Sequence, residues 1–386
     1  VRHLLVTNDY PPKMGGIQSY LWELWRRLPA HEVTVLTTPH AGAEAWDRTQ
    51  PYRIERTREP VLLPHPGLAA RINRLAEEVD AQLVVLDPLL PLGLLAPALE
   101  RPHAYVVHGA EVTLPGRLPI SGAVAGALLR RARLVIAAGG YPLAEAEHAA
   151  GRALPSVVVP PGVDPSRFTP LGAAERRQAR AGLGLPLDGP LVVSVSRLVP
   201  RKGMDVLIRA AARLAPTHPD LVVGIAGDGR DRGRLERLAA ALGAPVIFLG
   251  RLSEGDLPRF VAAGDLFAML CRQRWGGLEQ EGFGIVFLEA AAAGLPSVAG
   301  RSGGSHEAVE HGVGGIVVDD PTDVDAVAAA VGALVDDPAS RQQMGAAARA
   351  RAERELSYDR LAATLQEALD STATDPVATA APAAGG

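Results

Sequence analysis

The sequence predicts an α/β fold in two similar halves joined by a short proline-rich linker, and three observations carry that prediction. The chain has 386 residues, too many for one ordinary core and suited to two. Apolar runs of strand length alternate with amphipathic stretches of helix length, as parallel βα units require. The alternation stops at Pro160-Pro161-Gly162-Val163-Asp164-Pro165, too rich in proline to continue either element, and then restarts.

In the first half the predicted strands are residues 3–8, 32–37, 52–56, 83–86, 104–107, 134–137 and 157–159. The second half repeats the pattern at 191–195, 221–226, 246–249, 266–269, 297–299 and 315–318. A last helix over 357–370 precedes an Ala-, Pro- and Gly-rich tail expected to be disordered. The predicted division is a first domain over 1–165, a second over 166–355, a helix over 356–372 returning to the first domain, and a tail over 373–386. Two such halves imply a cleft between them. Ligands of such sheets bind at the carboxyl ends of strands, so chemically distinctive residues should follow strands directly.

Composition narrows the function. Hydrophobic residues make up 47% and charged residues 21%, as in a soluble globular chain. No apolar run reaches the roughly 18 residues needed to span a bilayer. Val1-Arg2-His3-Leu4-Leu5-Val6 reads as a strand rather than a secretory leader, so the expectation is a cytoplasmic protein. The single cysteine, Cys271, excludes an internal disulfide and a cysteine-built metal site. A net charge of −4 gives no case for nucleic acid as a partner. Among 39 basic residues only Lys13 and Lys202 are lysines, and both fall inside motifs.

Four segments follow predicted strands. Asp9-Tyr10-Pro11-Pro12-Lys13-Met14-Gly15-Gly16-Ile17 contains two glycines that let backbone approach a ligand and open a helix whose amides favour anions. A plain βα turn is the alternative. Ser196-Arg197-Leu198-Val199-Pro200-Arg201-Lys202-Gly203 offers a guanidinium and an ammonium suited to a diphosphate, against a solvated basic turn. Glu281-Gly282-Phe283-Gly284-Ile285-Val286-Phe287-Leu288-Glu289 places a glycine-rich loop before a helix, with Glu289 about two turns in. Its two carboxylates can accept hydroxyl hydrogen bonds, one from a sugar and one from a ribose; a capped helix with a surface Glu accounts poorly for the glycines. His108-Gly109-Ala110-Glu111 sets a histidine at a strand end, able to donate to a sugar hydroxyl or a phosphate, or merely packed.

Other patterns carry less. Gly227-Asp228-Gly229-Arg230-Asp231-Arg232-Gly233 misplaces the third glycine of a dinucleotide fingerprint. Asp323-Val324-Asp325 resembles a metal-binding pair but sits at a helix start, where capping explains it. Leu128-Leu129-Arg130-Arg131-Ala132-Arg133 is basic and apolar, a lipid contact or an ordinary helix face.

Together these segments resemble retaining glycosyltransferase family 4, whose GT-B fold sets two Rossmann-like domains facing across a cleft. The Glu281…Glu289 pair is the signature. Val159-Pro160-Pro161-Gly162-Val163-Asp164 with Phe168 resembles the interdomain segment, and Gly227-Asp228-Gly229 a donor-side loop. Within the family, Pro11-Pro12-x-x-Gly15-Gly16-Ile17-Gln18-Ser19-Tyr20, Cys271-Arg272-Gln273-Arg274-Trp275-Gly276-Gly277-Leu278 and Gly300-Arg301-Ser302-Gly303-Gly304 are similar to actinobacterial mannosyltransferases of the phosphatidylinositol mannoside pathway.

The resemblance implies an acceptor-binding first domain and a nucleotide-sugar-binding second domain. It implies GDP-mannose as donor, a phosphatidylinositol mannoside as acceptor, an α-1,6 linkage, and peripheral association with the cytoplasmic face of the cell membrane. No cofactor or metal is implied. Arg197 and Lys202 would bind the donor diphosphate, with Gly15 and Gly16 approaching it from the other domain. Glu281 and the segment Gly282, Phe283, Gly284 and Ile285 would hold the sugar, Glu289 the ribose, and Gly227 and Asp228 would line the donor side. His108 would sit beside the transferring sugar, with Tyr10 and Gln18 on the acceptor side. Arg197, Lys202, His108 and Glu281 are then the catalytic set, acting by same-face attack with the leaving phosphate taking the acceptor's proton. Ala110 and Ala138-Gly139-Gly140-Tyr141 depart from the family pattern on the acceptor side. The alternatives are a relative using another nucleotide sugar and acceptor, a tandem-Rossmann oxidoreductase without its glycine fingerprint, and a non-catalytic scaffold. Oligomeric state is not legible.

Overall fold

The computed structural model describes residues 1–109, 119–274 and 283–374. It comprises two compact units, one of Val1–Val159 with the chain from Leu361, the other of Pro160–Arg360.

In the first unit, β1 (His3–Thr7), β2 (Val33–Thr37), β3 (Arg53–Arg56), β4 (Leu83–Asp87), β5 (His103–Val107), β6 (Leu134–Ala137) and β7 (Ser156–Val158) form one sheet. Their order is β3-β2-β1-β4-β5-β6-β7, and every pairing is parallel. A parallel sheet is covered on both faces, so its central strands read as continuous apolar runs, and β1, β2 and β4 are buried throughout. The edge strand β3, Arg-Ile-Glu-Arg, stays partly exposed. Asn8, expected to end β1, instead turns its side chain to Leu62, donating to its carbonyl at 3.1 Å and accepting from its amide at 2.7 Å.

The helix Pro66–Glu78 shows how local sequence covers this sheet. His65 caps it by accepting from the Leu68 amide at 3.2 Å, and Pro66 stands where no amide partner is needed. Leu68, Ala69, Ile72, Leu75 and Ala76 recur at helical spacing and are all buried. Full burial of each leucine or isoleucine contributes about 1.5–3 kcal/mol.

The basic stretch after the helix Pro119–Leu129 proves structural. Leu128, Leu129 and Ala132 are buried. Arg130 donates to the Ala150 carbonyl at 3.1 Å and Arg133 to that of Thr372 at 2.8 Å, satisfying helix carboxyl ends. The lipid-contact alternative for residues 128–133 loses its apolar half to the core.

In the second unit, β8 (Leu191–Val195), β9 (Val222–Ala226), β10 (Val246–Gly250), β11 (Leu266–Met269), β12 (Ser297–Gly300) and β13 (Gly315–Val318) run parallel in the order β10-β9-β8-β11-β12-β13. Asp265 pins the entry to β11, accepting from the Leu191 amide at 2.8 Å, from Arg176 at 2.7 Å and from Arg180 at 2.9 Å. Burial alone would push its carboxyl up; these partners outweigh burial and hold it below the usual carboxylate range. Asp323 caps the helix Val324–Asp336, accepting from the amides of Asp325 and Ala326.

Two segments differ from the sequence reading. Val163, read as linker, is buried in the second unit's core and bridges to Ser357, its amide bonding the Leu356 carbonyl at 2.9 Å. The last helix runs Tyr358–Thr374, so residues 373 and 374 are helical, and the rest of the tail expected to be disordered lies outside the described residues. From Leu361 this helix belongs to the first unit, where Leu365 and Leu369 are fully buried.

Candidate active site

Each sheet has a switch point, the pair of central neighbours from which the chain winds outward in opposite directions. Connections there leave a crevice at the strands' carboxyl ends. In the first unit the pair is β1 and β4; in the second it is β8 and β11.

At the first switch point, Thr7 and Asp87 are the last register partners of β1 and β4. Asp87 is fully buried and accepts from the Thr7 hydroxyl at 2.6 Å. Its other carboxylate oxygen lies 2.6 Å from Nε2 of His108, which follows β5. The Tyr20 ring meets the His108 ring edge-on at 5.5 Å, and the Tyr20 hydroxyl donates to the Val159 carbonyl at 2.7 Å. Tyr20 lies one turn into the helix Gly16–Trp25 that the glycine pair opens. The fold thus brings His108 within one side chain of that helix.

The loop before the helix is held by side chains. Asp9 accepts from Gln18 at 2.5 Å and from Lys13 at 2.7 Å, and Arg56 donates to the Pro11 carbonyl at 2.6 Å while gripping Asp47. Gly15 stands at the helix cap in an extended conformation, and the space where Gly16 would carry a Cβ is open. Packing gives no reason for glycine at position 16, which leaves the first amides of the helix uncovered. Tyr10 corrects the sequence reading. It is 1% exposed, its hydroxyl pairs with that of Tyr52 at 2.8 Å, and its ring packs on Trp46, so it shapes the loop from beneath and offers no side chain to an acceptor. Gln18 is likewise buried, its amide spent on Asp9.

At the second switch point, the segment after β8 carries Arg197, exposed, and Lys202, 9% exposed at the end of the short 3-10 turn Pro200–Lys202. Backbone bonds clasp this segment on both sides. The Leu198 amide donates to the Asp228 carbonyl at 2.9 Å and its carbonyl accepts from the Asp231 amide at 3.1 Å. From the β11 side, the Arg272 amide donates to the Arg201 carbonyl at 2.9 Å and its guanidinium to Asp205 at 3.0 Å. The clasp needs bare backbone. A Cβ on Gly203, which is left-handed, would strike the Leu270 carbonyl, and one on Gly227 the Ser196 carbonyl. Gly227 therefore has a packing reason to be glycine, and Asp228, exposed, turns its carboxylate to the Gly229 amide at 2.8 Å.

After β11 the chain leads to the glycine-rich segment, of which Glu281 and Gly282 lie outside the described residues. Phe283 is buried, Gly284 caps the next helix in the left-handed region, and Ile285 begins it. The helix is Ile285–Ala292, so Glu289 is its fifth residue, little more than one turn in rather than two, because the loop continues through Gly284. Glu289 is half-buried. Burial pushes its carboxyl up to about 7, with Arg167 pulling down and Glu254 pushing up by less.

Sequence reasoning missed Asp87 as a partner of His108. Its signal was a lone carboxylate closing the otherwise apolar run of β4, Leu83-Val84-Val85-Leu86-Asp87. It also missed Arg272 and Asp205, which tie the segments after β8 and β11 together.

Among known proteins, residues 14–167 match the model of Glycosyltransferase Family 4 and residues 175–351 that of Glycosyl transferases group 1. The GDP-mannose-dependent alpha-(1-6)-phosphatidylinositol monomannoside mannosyltransferase of Mycolicibacterium smegmatis is 42% identical over 90% of this chain and 92% of its own. The Corynebacterium glutamicum GDP-mannose-dependent monoacylated alpha-(1-6)-phosphatidylinositol monomannoside mannosyltransferase is 37% identical over 95% and 97%. Among solved structures, Anabaena HepE in complex with UDP aligns with TM-score 0.81 at 24% identity, covering 96% of this chain and all of the other, a likeness of fold. With two Rossmann-like halves of the GT-B kind and relatives matching nearly end to end, this chain belongs to glycosyltransferase family 4.

Proposed function

We propose that the protein is a retaining mannosyltransferase that moves mannose from GDP-mannose to a phosphatidylinositol mannoside, forming an α-1,6 linkage. The observation that carries this reading is identity of 37–42% over at least nine-tenths of both chains with proteins named for that transfer.

In this mechanism Arg197 and Lys202 receive the donor diphosphate. As the bond from the anomeric carbon to phosphate oxygen breaks, negative charge grows on the diphosphate, so both cations stabilise the transition state more than the ground state. The acceptor hydroxyl adds to the anomeric carbon from the same face, and its proton passes to the departing phosphate oxygen. Gly15, Gly16 and the amides opening the helix Gly16–Trp25 approach the phosphates, His108 stands beside the sugar, and Glu289 takes the ribose hydroxyls. Glu281 and Gly282 are proposed to hold the sugar, with Phe283, Gly284 and Ile285 shaping the helix start. The step is metal-independent.

A lipid acceptor brings the enzyme to a membrane surface as a peripheral protein on the cytoplasmic face. Val61 and Leu63, in the loop after β3, support such a contact, being apolar and 52% and 56% exposed.

The test is nucleoside diphosphate release from GDP-mannose, UDP-glucose and UDP-N-acetylglucosamine, with and without phosphatidylinositol monomannoside, in buffer containing EDTA. GDP release stimulated by the lipid is expected. Release from a UDP-sugar instead would discard mannose and the lipid, and activity that returns only with a divalent cation would discard the metal-free step.

A further inference from the structure

Asp87 is a fully buried carboxylate at the end of a strand whose other four residues are apolar and buried. A carboxylate in that position costs several kcal/mol unless it is paired, and well-packed apolar side chains commonly serve a core as well or better. Its two hydrogen bonds are to the Thr7 hydroxyl and to Nε2 of His108, one on each oxygen. The second explains why a carboxylate stands there.

Resting on the mannosyltransferase reading, we propose that Asp87 is a positioning residue that fixes the tautomer and ring plane of His108. A carboxylate accepts, so Nε2 of His108 must carry the proton in the 2.6 Å contact. Nδ1 is then the acceptor nitrogen of the neutral ring, and both nitrogens donate when the ring is charged. Thr7 orients Asp87 from the neighbouring strand, and the Asp9 amide donates in turn to the Thr7 hydroxyl at 2.8 Å, so the loop that leads to Gly16 is part of the same chain of bonds. The Tyr20 ring bounds the imidazole on another side. Strands β1, β4 and β5 and one helix thus set a single ring.

Asp87→Asn keeps the shape but lets an amide N–H face Nε2, which drives the proton to Nδ1. The expected result is a fall in kcat of about 100-fold with donor KM within about threefold, the scale set by misorienting a positioned group. In ¹⁵N-detected imidazole spectra, assigned with His108→Gln, the His108 signal should change from the Nε2–H to the Nδ1–H pattern. Thr7→Val should give a smaller kcat loss, about threefold to tenfold, with unchanged tautomer. Retention of kcat within twofold in folded Asp87→Asn, or an Nδ1–H tautomer in the unsubstituted protein, would overturn the proposal. Should Asp87→Asn fail to fold, the tautomer of the unsubstituted protein and the Thr7→Val kinetics decide alone. Absence of mannosyl transfer by the unsubstituted protein would sink the mannosyltransferase reading, while the tautomer measurement would still test Asp87.

Discussion

The two units share one winding scheme and use its switch point in opposite ways. In the first, a buried carboxylate, a hydroxyl and an imidazole join the carboxyl ends of β4, β1 and β5, and the adjoining loops are held by side chains such as Asp9, Asn8 and Arg56. In the second, the segment after β8 carries Arg197, exposed, and Lys202, buried, and is clasped by backbone on both sides. A main-chain clasp fixes the path of the segment that carries these cations, whatever side chains flank it. Side-chain bonds instead hold particular groups, such as the His108 imidazole, at particular angles.

The sharpest way to break that contrast is to remove the second unit's charge. Lys202→Ala should lower transfer by about 1,000-fold, as loss of a transition-state electrostatic partner does, with the melting temperature little changed. Turnover within tenfold would show that Lys202 serves the fold rather than the diphosphate. Next in size is a contrast of glycines. Gly203→Ala should cost about 3 kcal/mol of stability or prevent folding, since its left-handed conformation and the Leu270 carbonyl leave no room. Gly16→Ala, facing open space, should melt within about 2 °C of the parent and still lose transfer. Equal melting of the two variants would erase the difference between the units' loops.

The smallest effect concerns Glu289. Its folded carboxyl titrates near 7 against 4.5 for the free group, so the folded state holds the proton more tightly. Stability from that proton is fully present below about pH 4.5 and is lost as pH rises through 7. Glu289→Gln should therefore melt about 2–4 °C above the parent at pH 8 and level with it only below about pH 4.5, a modest gain because the side chain is only half-buried. A difference independent of pH would rule out burial of this carboxyl as the cause.

Much of this was legible in sequence because parallel strands are buried on both faces. Runs such as Leu191–Val195 and Leu134–Ala137 appear at the predicted residues, and other strands shift by one residue at one end or both. Arg197 and Lys202 follow β8 and the pair Gly15-Gly16 follows β1, so their places after switch-point strands were legible too. What escaped was pairing between distant segments. Asp87 meets Thr7 80 positions away and His108 21 positions away, and no local pattern announces either contact. Tyr10 sits in a motif but is claimed by Tyr52, and residues 128–133 look amphipathic until Ala150 and Thr372 supply carbonyls for their arginines. A motif shows which residues gather after a strand; only packing decides which of them face outward.

The last helix carries a consequence for how the protein can be divided. The chain leaves the first unit after Val159 and re-enters it at Leu361, part-way along the continuous helix Tyr358–Thr374. Before that return, Val163 and Ser357 lie side by side, so outgoing and incoming chain are stitched together within the second unit. A fragment ending at Val159 would lack Leu365 and Leu369 and open a slot in its own core. Neither half can be grafted by a single splice: exchange between relatives demands two junctions, and inheritance of the first unit means inheritance of sequence from both sides of the second.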